Sequence, residues 1–202
     1  MQGFGDTTLN RSQTEFFNEH GYLVIDELLD EETILRPLRA EYAVLLDHLY
    51  DSWWAQRRIG TAPDGLSFED KLLLAYRSGC DWFQPFDISL PGDRVHADTP
   101  FHFGPAVFDL VTAPALLDLV ETLIGPEITS NPIQHIRIKP PSNRLADDEI
   151  RAHITATDWH QDRGVTLPEA DHTALVTCWC AITDATVQNG CLQVIPGAHH
   201  EG

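Results

Sequence analysis

Apolar positions recur at helical spacing in several stretches of the first 125 residues, and at 133–139 they alternate with polar ones. Ser12-Gln13-Thr14-Glu15 has the form of a capping box, predicting a helix through about His20 with Phe16 and Phe17 on its buried side. Gly21 ends it, and Tyr22-Leu23-Val24-Ile25 reads as a strand. Asp30 is placed to cap a longer helix carrying Ile34, Leu35, Leu38, Tyr42, Leu45 and Leu46, with Pro37 either in its first turn or kinking it. Residues 51–105 hold Trp53, Trp54, Trp82 and Phe83 among turn residues without a steady period, apart from a predicted helix over Phe68 to Tyr76. Pro114 to Leu123 is helical again, closed by Gly125-Pro126. Residues 133–139 then alternate, with Ile136 and Ile138 on one side, and Pro140-Pro141 stops the run. Residues 142–156 are polar, as suits an exposed loop, while 174–182 and 191–195 read as strands joined by a turn at Asn189-Gly190.

Composition changes this picture little. The 202 residues suit one domain with a sizeable core, and 43% hydrophobic with 22% charged content is ordinary for a globular protein. Charge narrows the partners: the formal net charge of −18 repels nucleic acid and anionic membrane, so neither is expected. An anionic ligand would then need local positive charge that the average composition does not supply. Cys80, Cys178, Cys180 and Cys191 form no C-x-x-C pair, the N-terminus lacks the features of a signal peptide, and no apolar run reaches a membrane span. A cytoplasmic location is expected.

The candidate chemistry lies in His-x-acid pairs. On an extended segment, residues i and i+2 point to one face, so one short stretch can offer an imidazole and a carboxylate to one metal. Two histidines and a carboxylate occupy one face of an Fe(II) octahedron and leave three positions open. About one or two such pairs should arise by chance in a chain of this composition; three occur, His96-Ala97-Asp98, His160-Gln161-Asp162 and His199-His200-Glu201. Their surroundings separate them. His96-Ala97-Asp98 falls in the irregular middle, where surface polarity is the simpler reading, and Trp53-Trp54 is read as helix-to-sheet packing.

His160-Gln161-Asp162 follows Ile138-Lys139-Pro140-Pro141 and precedes Thr177-Cys178-Trp179-Cys180-Ala181-Ile182, then Asn189-Gly190-Cys191-Leu192-Gln193-Val194-Ile195-Pro196-Gly197-Ala198-His199. This succession resembles the phytanoyl-CoA dioxygenase family of Fe(II)/2-oxoglutarate-dependent oxygenases, which run K-P-P, H-Q-D, a strand with Trp and Ala, then N-G-x-L-x-V-x-P-G-[ST]-H. Phe16 to Ile25 is similar to that family's F-x-x-x-G-Y opening.

The resemblance implies a double-stranded β-helix (jelly-roll, cupin-like) core over about 130–202 behind an N-terminal helical layer over about 10–125, all in one domain spanning 1–202. It implies His160 and Asp162 as iron ligands, and Gln161, Trp179, Lys139 and His135 as positions near 2-oxoglutarate. Core packing is an equal reading for Trp179, a solvated or loop-anchoring role for Lys139, and a buried, hydrogen-bonded role the better one for His135. No catalytic residue beyond the metal ligands is implied. Fe(II), 2-oxoglutarate and ascorbate as reductant are the implied cofactors, with a small-molecule substrate. Related iron halogenases replace the carboxylate by a small residue, so Asp162 favours hydroxylation. In the family a third ligand His and a 2-oxoglutarate-binding Arg follow the P-G-[ST]-H segment, whereas this chain reaches Gly202 directly after His199-His200-Glu201. The β-helix is therefore expected to be incomplete at its C-terminal end, as in the front portion of a longer protein. His199 is expected to order a turn, as its family counterpart does. The competing expectation from another class is a non-catalytic β-helix that serves as a binding module.

Overall fold

The computed structural model describes residues 9–80, 84–91, 95–140, 144–149, 158–170 and 172–201. Among them, five α-helices carry the packed part: α1 (Arg11–His20), α2 (Arg36–Ala55), α3 (Phe68–Arg77), α4 (Pro105–Val111) and α5 (Pro114–Ile124). None is long and apolar enough to cross a membrane.

Local chemistry accounts for most helix ends. The capping box of α1 is Asn10–Gln13, two residues before the expected Ser12–Glu15: the Asn10 side chain accepts from Gln13 N at 3.0 Å, and Gln13 Oε1 accepts from Asn10 N at 3.0 Å. Gly21 ends α1 in the left-handed region at φ 77°. Asp30 accepts from Thr33 N at 2.8 Å, as expected, but the chain first makes a π-helical turn, Glu31–Leu35, before α2. Pro37 supplies the reason. It has no N–H to give the carbonyl four residues earlier and its ring crowds that group, which favours the wider turn before it.

The core is built on one stripe of α2: Leu38, Tyr42, Leu46, Tyr50 and Trp53, all buried. This stripe continues through Trp53 to the helix end at Ala55, so residues 51–55 are regular where the sequence reading left them irregular. Leu72 and Ala75 of α3 and Ala106, Val107 and Leu110 of α4 pack on it, with Ile59, Cys80 and Phe86 from the connections. Helix α4 also went unpredicted, because two turns offer too few apolar positions to set a period. Its start has no side-chain cap at Gly104. Glu41 of α2 supplies one from outside: its Oε2 accepts from Ala106 N at 3.0 Å, and its Oε1 lies 2.7 Å from His102 Nε2. A Cβ on Gly104 would overlap that carboxylate, so glycine is needed there for close approach.

The double-stranded β-helix is not what forms. Among the described residues there is no strand and no sheet, and the structured part is helical. The segments expected as strands run without regular structure, and the backbone bonds around them are local, such as Gln134 N to Pro132 O and Cys191 N to Thr186 O. A strand exists only when its N–H and C=O groups meet a neighbouring ladder. Here alternation is spent differently: Ile136, Ile138, Cys180 and Ile182 pack against the helical core, while Trp179, Leu192 and Val194 are exposed. The period of two at 133–139 was read correctly, but the surface that receives Ile136 and Ile138 is a helix layer. Of the expected loop at 142–156, residues 144–149 fold back onto α3, where Arg77 Nε meets Glu149 Oε1 and Arg144 Nη2 meets Asp70 Oδ1, each at 2.7 Å. The rest of that loop, and Trp82 and Phe83, lie outside the described residues.

Leu46 is fully buried whereas Val44 on the same helix is 55% exposed. Leu46→Ala should therefore cost about 2–5 kcal/mol in urea unfolding, and Val44→Ala no more than about 0.5 kcal/mol. Burial also pushes the Cys180 thiol up to about 11. At pH 8, iodoacetamide should modify Cys180 at least about tenfold more slowly in the folded chain than in guanidinium, since the thiolate is the nucleophile. Equal rates by peptide mapping would show that this segment does not dock on the helices.

Candidate metal centre

The His160–Asp162 turn is held by short-range bonds rather than by a sheet. Gln161 is extended at φ −111°, ψ 133°, and Asp162 opens a 3-10 turn, Asp162–Val165. One extended residue between them leaves the flanking side chains on a common side. His160 Nε2 and Asp162 Oδ1 lie 3.2 Å apart. Two cis donors on one octahedral ion with bonds near 2.1 Å are separated by about 3 Å, so this spacing suits joint coordination.

The protonation of His160 follows from its other nitrogen. Nδ1 lies 2.7 Å from Asp158 O. A carbonyl can only accept, so Nδ1 carries the proton. Nε2 then faces Asp162, and a carbonyl on the distal nitrogen is the usual way a metal-binding histidine is oriented. Both side chains are about half exposed, at 52% and 48%. These donors fit an Fe(II) ion as two of its ligands. Among the described residues no group of three His, Cys, Asp or Glu side chains comes together, so no third protein donor joins them.

The other expected positions are scattered in role. Gln161 points away from the donor pair and gives an Nε2–H to Ala198 O at 2.9 Å. His135 Nδ1 meets Asp87 Oδ2 at 2.8 Å, while Asp87 Oδ1 accepts from Ile88 N at 2.9 Å and Ile136 N at 3.2 Å. Asp87 thus fixes the start of the 133–139 segment, and its position in the aperiodic middle of the chain gave no sequence signal. Lys139 is half-buried with its stem beside Gly190. Trp179 is 48% exposed.

The rival pairs are engaged elsewhere. His96 lies in an exposed turn closed by Thr99, whose Oγ1 accepts from His96 N at 2.8 Å. His199 Nε2 donates to Asn18 O at 3.1 Å and its Nδ1 edge lies against Gly21, so its ring is engaged with the end of α1. Its expected role in ordering a turn fits this placement.

The sequence matches the family described as phytanoyl-CoA dioxygenase (PhyH) over residues 17–202. Among curated proteins it is similar to peroxisomal phytanoyl-CoA dioxygenase of Mus musculus, 26% identical over 195 residues that make up 96% of this chain and 48% of the relative. The Rattus norvegicus and Bos taurus proteins of that name are 24% and 25% identical over the same share of this chain, covering 48% and 49% of their own lengths. The chain thus spans about half the length of the curated relatives it matches. No solved structure matches it significantly. With the family motifs in order and the match extending over most of its length, the chain belongs to the phytanoyl-CoA dioxygenase family.

Proposed function

We propose that this chain supplies two iron ligands, His160 and Asp162, to a non-haem Fe(II), 2-oxoglutarate-dependent oxygenase that hydroxylates a small molecule. The observation carrying this reading is His160 Nε2 set 3.2 Å from Asp162 Oδ1, with Nδ1 tied to Asp158 O. Family membership supports the same chemistry at a coarser level. When bound, the iron and 2-oxoglutarate would supply O2 activation coupled to oxidative decarboxylation of the cosubstrate to succinate.

The part played by the protein's own residues is placement. Asp158 O accepts from His160 Nδ1 and so aims Nε2 toward Asp162. Asp162 offsets positive charge at the metal. Charge also bears on the cosubstrate: a dicarboxylate must approach a chain of net charge −18. Lys139 suits this task, since its ammonium meets no carboxylate among the described residues while its stem is held against Gly190. Trp179, half exposed, offers an apolar wall. Among the described residues, His135 Nε2 has no partner while Asp87 holds Nδ1, and Gln161 has one amide hydrogen left after serving Ala198 O. The four cysteines are free and suit a reducing compartment; the cytoplasm is our assignment, although the curated relatives are named peroxisomal.

Mn(II), as a redox-silent substitute for Fe(II), should broaden the NMR signals of residues 158–165, and His160→Ala or Asp162→Ala should weaken that binding by at least about tenfold. With Fe(II), 2-oxoglutarate and ascorbate, succinate should form and be lost in His160→Ala. Unchanged Mn(II) binding in both variants would end the metal reading. Intact metal binding without succinate in a protein of the relatives' full length would end the oxygenase reading.

A further inference from the structure

We propose that the C-terminal end of α1 is the positioning support of the His160–Asp162 turn, acting through Gly21, His199 and Gln161; this rests on the metal reading above. The last four carbonyls of a helix have no partner within it. In α1, Phe17 O accepts from Gly21 N at 2.8 Å, Asn18 O from His199 Nε2 at 3.1 Å, and His20 O from Gly197 N at 2.8 Å. Two of these three donors come from the 197–200 turn, some 180 residues away in sequence. That turn is in turn grasped by Gln161, whose Nε2 donates to Ala198 O at 2.9 Å. Gln161 is the residue between the two metal donors. Its side chain therefore converts the position of the 197–200 turn into the orientation of His160 and Asp162.

The contact requires specific residues at both ends. Gly21 has φ 77°, and a Cβ there would fall on the imidazole of His199. No residue of α1 is fully buried. The helix end thus contributes through these directed bonds together with the packing of Phe16 against His20 and Tyr22. Gly21, His199 and Gln161 are positioning residues: none of them is a metal donor.

The test compares His199→Ala, His199→Gln and Gly21→Ala in the intact chain, with two readouts. One is Mn(II) affinity from line broadening at residues 158–165; the other is metal-free amide exchange at Gly164 and Thr166, whose N–H groups bond to Gln161 O and Arg163 O. His199→Ala and Gly21→Ala should each weaken Mn(II) binding by about tenfold and speed exchange at both amides. His199→Gln should recover most of the loss, because its amide can still donate to Asn18 O. If exchange rises only within α1, and Gly164, Thr166 and Mn(II) affinity stay at wild-type values, His199 merely caps a helix and the proposal is wrong. Should Gly21→Ala lose its helical circular dichroism, the His199→Ala and His199→Gln pair decides alone. His160→Ala separates the two levels. Retained Mn(II) binding in His160→Ala would overturn the metal reading itself, whereas its loss there, beside wild-type affinity in His199→Ala, would overturn only the α1 support.

Discussion

The buried stripe of α2 sets the terms for the rest of this structure, because it acts on its neighbours in two ways. Its apolar side chains receive α3, α4 and the inward residues of the irregular segments. Its polar groups then fasten those segments by their backbones: Tyr42 Oη donates to Phe86 O at 2.9 Å, Tyr50 Oη to Thr61 O at 3.1 Å, and Arg39 Nη1 to Ile182 O at 2.8 Å. In a sheet, carbonyls like these would be taken up by a neighbouring strand. Burial of the Tyr42 hydroxyl, with Glu41 and Asp87 nearby, keeps it protonated well above the usual phenol range and therefore a donor. A phenylalanine at either tyrosine position would fill the same space and leave a carbonyl unserved.

Electrostatics follows a similar economy. Lys71 pairs with Asp47, Arg36 with Glu32, Arg39 with Glu31, Arg77 with Glu149 and Arg144 with Asp70. Such exposed pairs contribute little stability one by one. Their larger effect is on what remains: they take up much of the positive charge of a chain with 13 Lys and Arg against 31 acids. Glu41 shows the opposite arrangement, a mostly buried carboxylate that serves a helix N-terminus and His102 at once. That is a favourable location for negative charge, since the α4 backbone amides there have no acceptor of their own.

What could be read from the sequence depended on the range over which the cause acts. Gly21, Asp30, Pro114 and Gly125 mark helix boundaries through their own backbone chemistry, and each sits at or next to the boundary it was read to mark. The stripe was legible from Leu38 to Leu46 by its helical spacing, while its continuation through Tyr50 and Trp53 was not. Alternation at 133–139 told correctly which side chains turn inward, but a period of two says nothing about whether a ladder or a helix layer lies opposite. Glu41 capping α4 and Asp87 holding His135 were out of reach, because each is a contact between segments with no local pattern to announce it. Of the site, the His160–Asp162 pairing was legible only from its spacing together with the motifs around it, since three pairs share that spacing, and the destination of Gln161 was not.

The consequence for the candidate centre is a matter of rigidity. Donors on a paired strand inherit its order from the whole sheet, whereas donors on a turn are only as well placed as the few bonds that hold the turn. Here those bonds are His160 Nδ1 to Asp158 O, Gly164 N to Gln161 O at 3.0 Å, and the Gln161 amide to Ala198 O. The first two are local and fix the shape of the turn, but they cannot fix its position relative to the core. The third reaches the 197–200 turn and so α1, while Arg163 Nη2 in the same 3-10 turn donates to Thr173 O at 2.7 Å, just before the 174–182 segment. The donor pair is thus held from two sides, by the end of α1, which has no fully buried residue, and by the lead-in to a segment that docks on the core stripe. On the proposed metal reading, affinity depends on how firmly the end of α1 stays formed as well as on the two ligands.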